Sequence, residues 1–172
     1  MLIDRSAAVA FLLLGSACAA QTGTPQTADV AAFCETNPCR WTDNGPEPFV
    51  VDDQISIKRG ETLPLAATES GGKLTGFRVL GPDDPTTPVI TLEFETDPND
   101  IALHIDSTFD QYLKFHILMR FHGEDDWYET TSCSLMPHAS NIELWNDPIE
   151  ELRVFGFRVV EEGSEEANIC QN

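Results

Sequence analysis

The chain has 172 residues, 29 acidic against 10 basic side chains, and a formal net charge of −19. Such a surface repels phosphate backbones and anionic headgroups, which argues against nucleic acid as a partner and against direct adsorption to acidic membranes. A hydrophobic content of 41% is enough for one packed domain and excludes a chain disordered throughout. The acidity then reads as a solvated surface suited to a salty exterior.

The first residues carry an address. Met1–Arg5 is a short head with one Arg, Ala7–Leu14 is an apolar run, and Gly15, Ser16 and Ala17 are small. This is the three-part pattern of a secretory signal, and the run is shorter than the ~20 apolar residues that span a bilayer. Ala17-Cys18-Ala19 fits the A-x-A cleavage rule, giving a soluble product from about Ala20 or Gln21. Leu14-Gly15-Ser16-Ala17-Cys18 also resembles a bacterial lipoprotein signal, a family in which the Cys becomes the lipidated first residue. Ser16 and Ala17 match that pattern, and Gly15 departs from it where a large aliphatic normally stands. The resemblance implies Cys18 as the lipidation site and a lipid anchor as the route of membrane contact. Both routes predict export, to the periplasm or the outer membrane of a bacterium. Residues 1–19 are the signal on either reading. Residues 20–48 are a Thr-, Gln-, Gly- and Pro-bearing tether with a small disulfide loop, admitting a short helix near Asp29–Phe33.

Of the five cysteines, Cys18 belongs to processing. Cys34, Cys39, Cys133 and Cys170 remain, an even set that in an exported chain predicts two disulfides. Cys34 and Cys39 enclose the turn dipeptide Asn37-Pro38. A local bridge is therefore the simplest pairing, leaving Cys133 for Cys170. Four cysteines allow three connectivities, and spacing alone does not choose among them.

From residue 49 to 172 the chain alternates short apolar runs with Gly-, Pro- and Asp-rich turns. Expected strands are Phe49–Lys58, Thr62–Ala67, Lys73–Leu80, Val89–Glu95, Ile101–Ser107, Tyr112–Phe121, Trp127–Leu135, Ile142–Trp145 and Leu152–Glu161. Their spacing predicts an all-β antiparallel sandwich, jelly-roll-like, of eight or nine short strands. The clearest is Tyr112–His122: Leu113, Phe115, Ile117, Met119 and Phe121 alternate with Tyr112, Lys114, His116, Leu118, Arg120 and His122. The final run, LRVFGFRVV, is apolar on both faces and so suits a central position. Its Gly156 suggests a bulge or a close backbone approach.

Three constellations could carry chemistry. Pairing the strands around Ile90–Phe94, Ile101–Ser107 and Tyr112–Phe121 in sequence order, core faces matched, sets Glu93 beside His104, His104 opposite His116 and Asp106 opposite Lys114. Glu93, His104 and His116 would then form a row able to hold a divalent metal, the basis of a metal-dependent enzyme. The alternative is a solvated sheet face of cross-strand pairs. Two acidic loops, Asp97, Asn99, Asp100 and Glu124, Asp125, Asp126, lack calcium-loop spacing, and turn capping accounts for them. Trp41, Trp127, Tyr128 and Trp145 lie at loops and strand ends. A sandwich with loop aromatics beside carboxylates looks like a carbohydrate-binding module. Trp127, Tyr128 and Trp145 are the residues that resemblance points to, against their use as core plugs. No nucleophile elbow, H-E-x-x-H, P-loop or G-x-G-x-x-G is present, so no catalytic residue and no cofactor are assigned. The expectation is an exported, non-enzymatic binding or interaction module for a carbohydrate or protein partner.

Overall fold

A computed structural model describes residues 27–95 and 101–170. The signal segment, Cys18 and the loop carrying Asp97, Asn99 and Asp100 lie outside the described residues. The chain opens with α1 (Thr27–Cys34), followed by a hairpin of β1 (Cys39–Thr42) and β2 (Gly45–Pro48) that forms its own two-stranded sheet. Cys34 is bonded to Cys39, which ties helix to hairpin. Then come β3 (Val50–Val51), β4 (Gln54–Lys58), β5 (Thr62–Ser70), β6 (Lys73–Val79), β7 (Ile90–Phe94), β8 (Ile101–Ser107), β9 (Tyr112–Phe121), β10 (Tyr128–Thr130), β11 (Ser140–Trp145) and β12 (Ile149–Val160), closed by α2 (Glu165–Asn168).

The fold is antiparallel β, sandwich-like, with twelve strands in place of the eight or nine expected. Two differences account for the count. The hairpin β1–β2 arises from a stretch whose composition reads as tether. The single strand expected over Phe49–Lys58 folds back at Asp52 and Asp53, whose φ values of 49° and 60° make a tight two-residue turn between Val51 and Gln54. Asp tolerates this left-handed backbone better than most side chains. The carboxylate of Asp53 also accepts the amide of Phe77, 3.1 Å away, which docks the turn on β6.

Ten strands share one sheet, in the order β10-β9-β12-β6-β5-β7-β8-β11, with β4 on β12 and β3 on β4. β12 sits inside this path, as its two apolar faces require. It pairs with β9 on one edge; on the other it pairs with β4 from Glu151 to Val154 and with β6 at Arg158. Between these two partners the register shifts, and Gly156 takes φ +68°. A bulge with a positive φ bends the strand, and on either side of it β12 meets β4 and then β6 along the same edge while keeping β9 on the other. A side chain at Gly156 would also meet the His116 ring at 3.2 Å.

The inward faces of both layers form one core. Ile55, Ile57, Leu65, Leu103, Ile105, Leu113, Ile117, Leu152 and Val154 have no exposed surface, and the Phe157 ring packs 5.2 Å from both Phe77 and Phe115. Strands β10 and β11 stand at opposite ends of the path but meet in space. The Trp145 indole N–H donates to Thr130 Oγ1 at 3.2 Å, and the Cys133 amide donates to Glu143 Oε1 at 3.1 Å. The edges are thus joined by side chains rather than by a backbone ladder. A second disulfide, Cys133–Cys170, fastens the α2 segment beside β9.

Candidate functional site

Period-two alternation on β4, β12 and β9 sends Ile55, Ile57, Leu152, Val154 and Ile117 inward. Ser56, Lys58, Glu151, Arg153 and Arg120 stand on the opposite face. Register then sets Glu151 between Lys58 and Arg120, and Arg153 between Ser56 and Leu118. The hairpin β1–β2 meets this face through Arg40 and Glu47, which bond Ser56 and Lys58, and Glu151 on the same face is only 4% exposed.

A polar network joins hairpin and sheet. Arg40 on β1, 8% exposed, donates through Nε and Nη2 to the two oxygens of Glu61, each at 2.6 Å. It also donates to Ser56 Oγ at 3.1 Å and to the Ser56 carbonyl at 3.0 Å. Its guanidinium sits 5.0 Å from the Phe49 ring centre and 3.3 Å from Glu47, which in turn accepts Lys58 Nζ at 2.9 Å. Glu151 accepts Ser56 Oγ on one oxygen and Arg120 Nη2, at 2.6 Å, on the other. Burial alone would raise the Glu151 carboxyl. The hydrogen bonds from Ser56 and Arg120 and the charges of Lys58 and Arg120 outweigh it and hold the pKa below the usual range. Burial would likewise lower Arg40, and the bonds and charges of Glu61 and Glu47 outweigh it, keeping the cation raised.

Two clefts flank this network. One, of about 290 Å³, is lined by Glu47, Phe49, Gln54, Ser56, Glu151 and Arg153. The other, of about 370 Å³, is lined by Asn44, Glu47, Lys58, Arg120 and Glu151. Glu47 and Glu151 belong to both and form the divide between them. Arg153 reaches the first cleft with its guanidinium 3.9 Å from the centre of the Trp127 ring, which Arg120 approaches at 5.6 Å. Stacking on an aromatic face restricts the guanidinium plane without using its N–H donors. The network sets four carboxylates (Glu47, Glu61, Glu150, Glu151) against three cations (Arg40, Lys58, Arg120), and only Arg153 beside it brings the charges level.

The chain matches no family model, no curated protein and no solved structure. The site is therefore read from its own chemistry.

The residues singled out from the sequence fall elsewhere or take other roles. Glu93 does lie opposite His104, but β8 is bounded by β7 and β11, and β9 is not its neighbour. The expected pairing of His104 with His116, and of Asp106 with Lys114, is therefore corrected: Ile142 faces His104 and Ser140 faces Asp106. β8 and β9 are separated in the strand order by β12, β6, β5 and β7, so the chain between them does not turn a hairpin. His104 Nε2 lies 2.8 Å from Glu95, while His116 Nδ1 lies 3.1 Å from Glu129 with its ring stacked on Phe155. Among the described residues no three His, Cys, Asp or Glu side chains converge as a metal site.

The aromatics do not share a platform. Trp127 lies under Arg153 and Arg120 on the outer face. Tyr128 packs on Phe121 at 5.2 Å and donates to Glu124 at 3.1 Å. Trp145 closes the seam between β10 and β11 and packs on the core. Trp41, 79% exposed, projects from the hairpin. The sequence reading missed Arg40, Glu47, Glu61 and Glu151. One signal for them exists: the acidic pair Glu150-Glu151 leads directly into the apolar run of β12, a costly place for a carboxylate unless cations meet it there.

Proposed function

We propose that this chain is an exported, non-enzymatic binding module whose ligand is hydroxyl-rich and uncharged, carbohydrate-like in chemistry, held in the cleft between Phe49, Gln54 and Arg153. The observation that carries this reading is preorganisation. Three polar wall groups are held by neighbours: Glu47 by Lys58 and Arg40, Glu151 by Ser56 and Arg120, and Arg153 by Trp127. Side chains already ordered lose little entropy when a ligand arrives. Carboxylate oxygens accept hydroxyl protons, Gln54 and Arg153 donate, and the Phe49 ring offers an apolar surface. Glu47, Asp52 and Glu151 line this cleft beside one cation, Arg153, which disfavours an anionic ligand. The pairing of Glu47 and Glu151 with Lys58, Arg40 and Arg120 leaves little free charge for a cationic one. The aromatic contribution of Trp127 is to aim Arg153 rather than to stack on a sugar.

Export is part of the proposal. It is supported by the leader pattern of residues 1–19 and by two disulfides, which persist in oxidising compartments. No helix among the described residues is long and apolar enough to cross a membrane. Attachment through Cys18 is the lipoprotein form of the same proposal.

An oligosaccharide array probed with the disulfide-intact chain tests the reading, with the best glycan then titrated against R153A and Q54A. Retention on the array, and affinity lower by about tenfold or more in R153A, is the expected result for a lost charged hydrogen bond. An empty array, or equal affinity in R153A with an unchanged circular dichroism spectrum, would overturn it.

A further inference from the structure

The alternation that buries Leu113, Phe115 and Ile117 in the core sends Lys114 to the other face of β9. That face is covered at this point: Lys114 is 4% exposed. The cover is the segment 161–170 with α2 at its centre. Lys114 Nζ donates to the carbonyl of Ser132 at 3.3 Å and to the carbonyl of Ile169. These two residues immediately precede the two half-cystines, Cys133 and Cys170. The ammonium is thus clasped by the two chain segments that the disulfide holds together. No carboxylate among the described residues lies within ion-pair distance of it. Burial lowers its pKa, the nearby Arg158 charge adds to the effect, and Glu166 and Glu143 oppose it more weakly.

The rest of the cover is light. Arg158 pairs with Glu166, Ser134 Oγ donates to the Glu166 carbonyl at 3.2 Å, and α2 buries one residue, Ala167. Ala167 is not part of the core cluster. Lys114's own strand is held independently by its ladder with β12. The disulfide is also open to attack, since Cys170 is exposed.

We propose that Cys133–Cys170 is a redox latch over a masked amine: with the bridge closed Lys114 is shielded, and opening the bridge lifts the 161–170 strap and makes Lys114 a modifiable nucleophile. A dithiol supplies the chemistry. Its thiolate attacks Cys170 Sγ, forming a mixed disulfide and releasing Cys133 as a thiolate that takes a proton from water. The second thiol of the reductant, once deprotonated, closes its own disulfide and frees the Cys170 thiolate, which is protonated in turn. The protein bridge is reduced by two electrons and the dithiol is oxidised by two. The freed Lys114 amine, in its neutral form, can then attack an activated acyl group, forming an amide and expelling the leaving group with loss of one proton.

The test compares acylation of the three lysines, Lys58, Lys73 and Lys114, by an N-hydroxysuccinimide ester, read by peptide mass spectrometry before and after dithiothreitol. A C34S/C39S background confines the reduction to the second bridge, and C170S provides a permanently open form. With the bridge closed, Lys114 is expected to react at least about tenfold more slowly than exposed Lys73, as a group protected by a local opening equilibrium. With it open, the two rates should converge while the far-ultraviolet circular dichroism stays that of the sandwich. Continued protection of Lys114 after reduction and in C170S would overturn the proposal. Loss of the β spectrum together with labelling would overturn it too, because the exposure would then be global unfolding.

Discussion

Arg40 and Glu61 meet through two parallel hydrogen bonds of 2.6 Å, a fork-to-carboxylate contact that fixes the N-terminal hairpin on the sandwich. The guanidinium is nearly buried, and Ser56 and Phe49 complete its surroundings. Removing one partner of such a pair strands the other, so R40A is expected to cost about 3 kcal/mol in urea unfolding. R40K keeps the charge but loses the planar fork, and should restore only a minor part of the loss.

Glu151 makes stability depend on acid. Its carboxyl is held below the ordinary value of 4.5 in the folded chain. A depressed carboxylate pKa means that the unfolded chain takes up the proton first. The stabilisation is therefore complete above about pH 4.5 and drains away as pH falls through the lowered folded value. E151Q removes this titration. Its unfolding free energy should be lower than wild type at pH 7 by about 1–3 kcal/mol, with the difference narrowing below pH 4.5. A constant difference from pH 7 to pH 3 would contradict the assignment.

Gly156 is required by backbone geometry. At φ +68° a Cβ costs about 1–2 kcal/mol through its clash with the backbone. The 3.2 Å approach to the His116 ring is a smaller obstacle, since that side chain can shift. G156A is therefore expected to lower stability by that amount, and adding H116A should recover little of it. A full recovery in thermal unfolding of the double variant would place the cost in the ring contact instead.

Trp145 joins the two edge strands through one hydrogen bond to Thr130. W145F keeps most of the apolar contact and deletes the donor, for an expected loss of about 1 kcal/mol. Amide hydrogen exchange should quicken in β11 and β10 and stay unchanged in β5 and β6, which lie in the interior of the strand path.

Strand identity was legible wherever burial alternates. β8 and β9 begin and end as the period-two pattern predicts, and the place of Gly156 in a bulged central strand follows from an apolar run with a glycine in it. The local Cys34–Cys39 bridge, and with it Cys133–Cys170, follows from a turn dipeptide enclosed by two cysteines. Partner choice was not legible. Pairing sequential strands is a sound default, yet β8 and β9 part company, and no residue in the intervening Thr108–Gln111 announces a crossing. The site was hidden for the same reason. Arg40, Glu61, Glu151 and Arg120 come from four distant stretches, and among 29 acids only Glu151, by its place at the head of an apolar run, points to a cation before register and burial supply one. Asp52-Asp53 was readable in principle as a two-residue hairpin turn. The apolar residues on both sides, Val50-Val51 and Ile55–Ile57, disguised it as one continuous strand.

The placement of β12 sets the order in which the molecule can be made. β4, β6 and β9 are all synthesised before the strand that lines each of them, so their open edges must wait for residues 149–160 to arrive. A nascent chain cut short before that point presents three unpaired ladders to any neighbour, the arrangement most prone to intermolecular pairing. A chain that crosses a membrane unfolded and is delivered whole avoids that exposure, since every ladder finds its partner within one molecule.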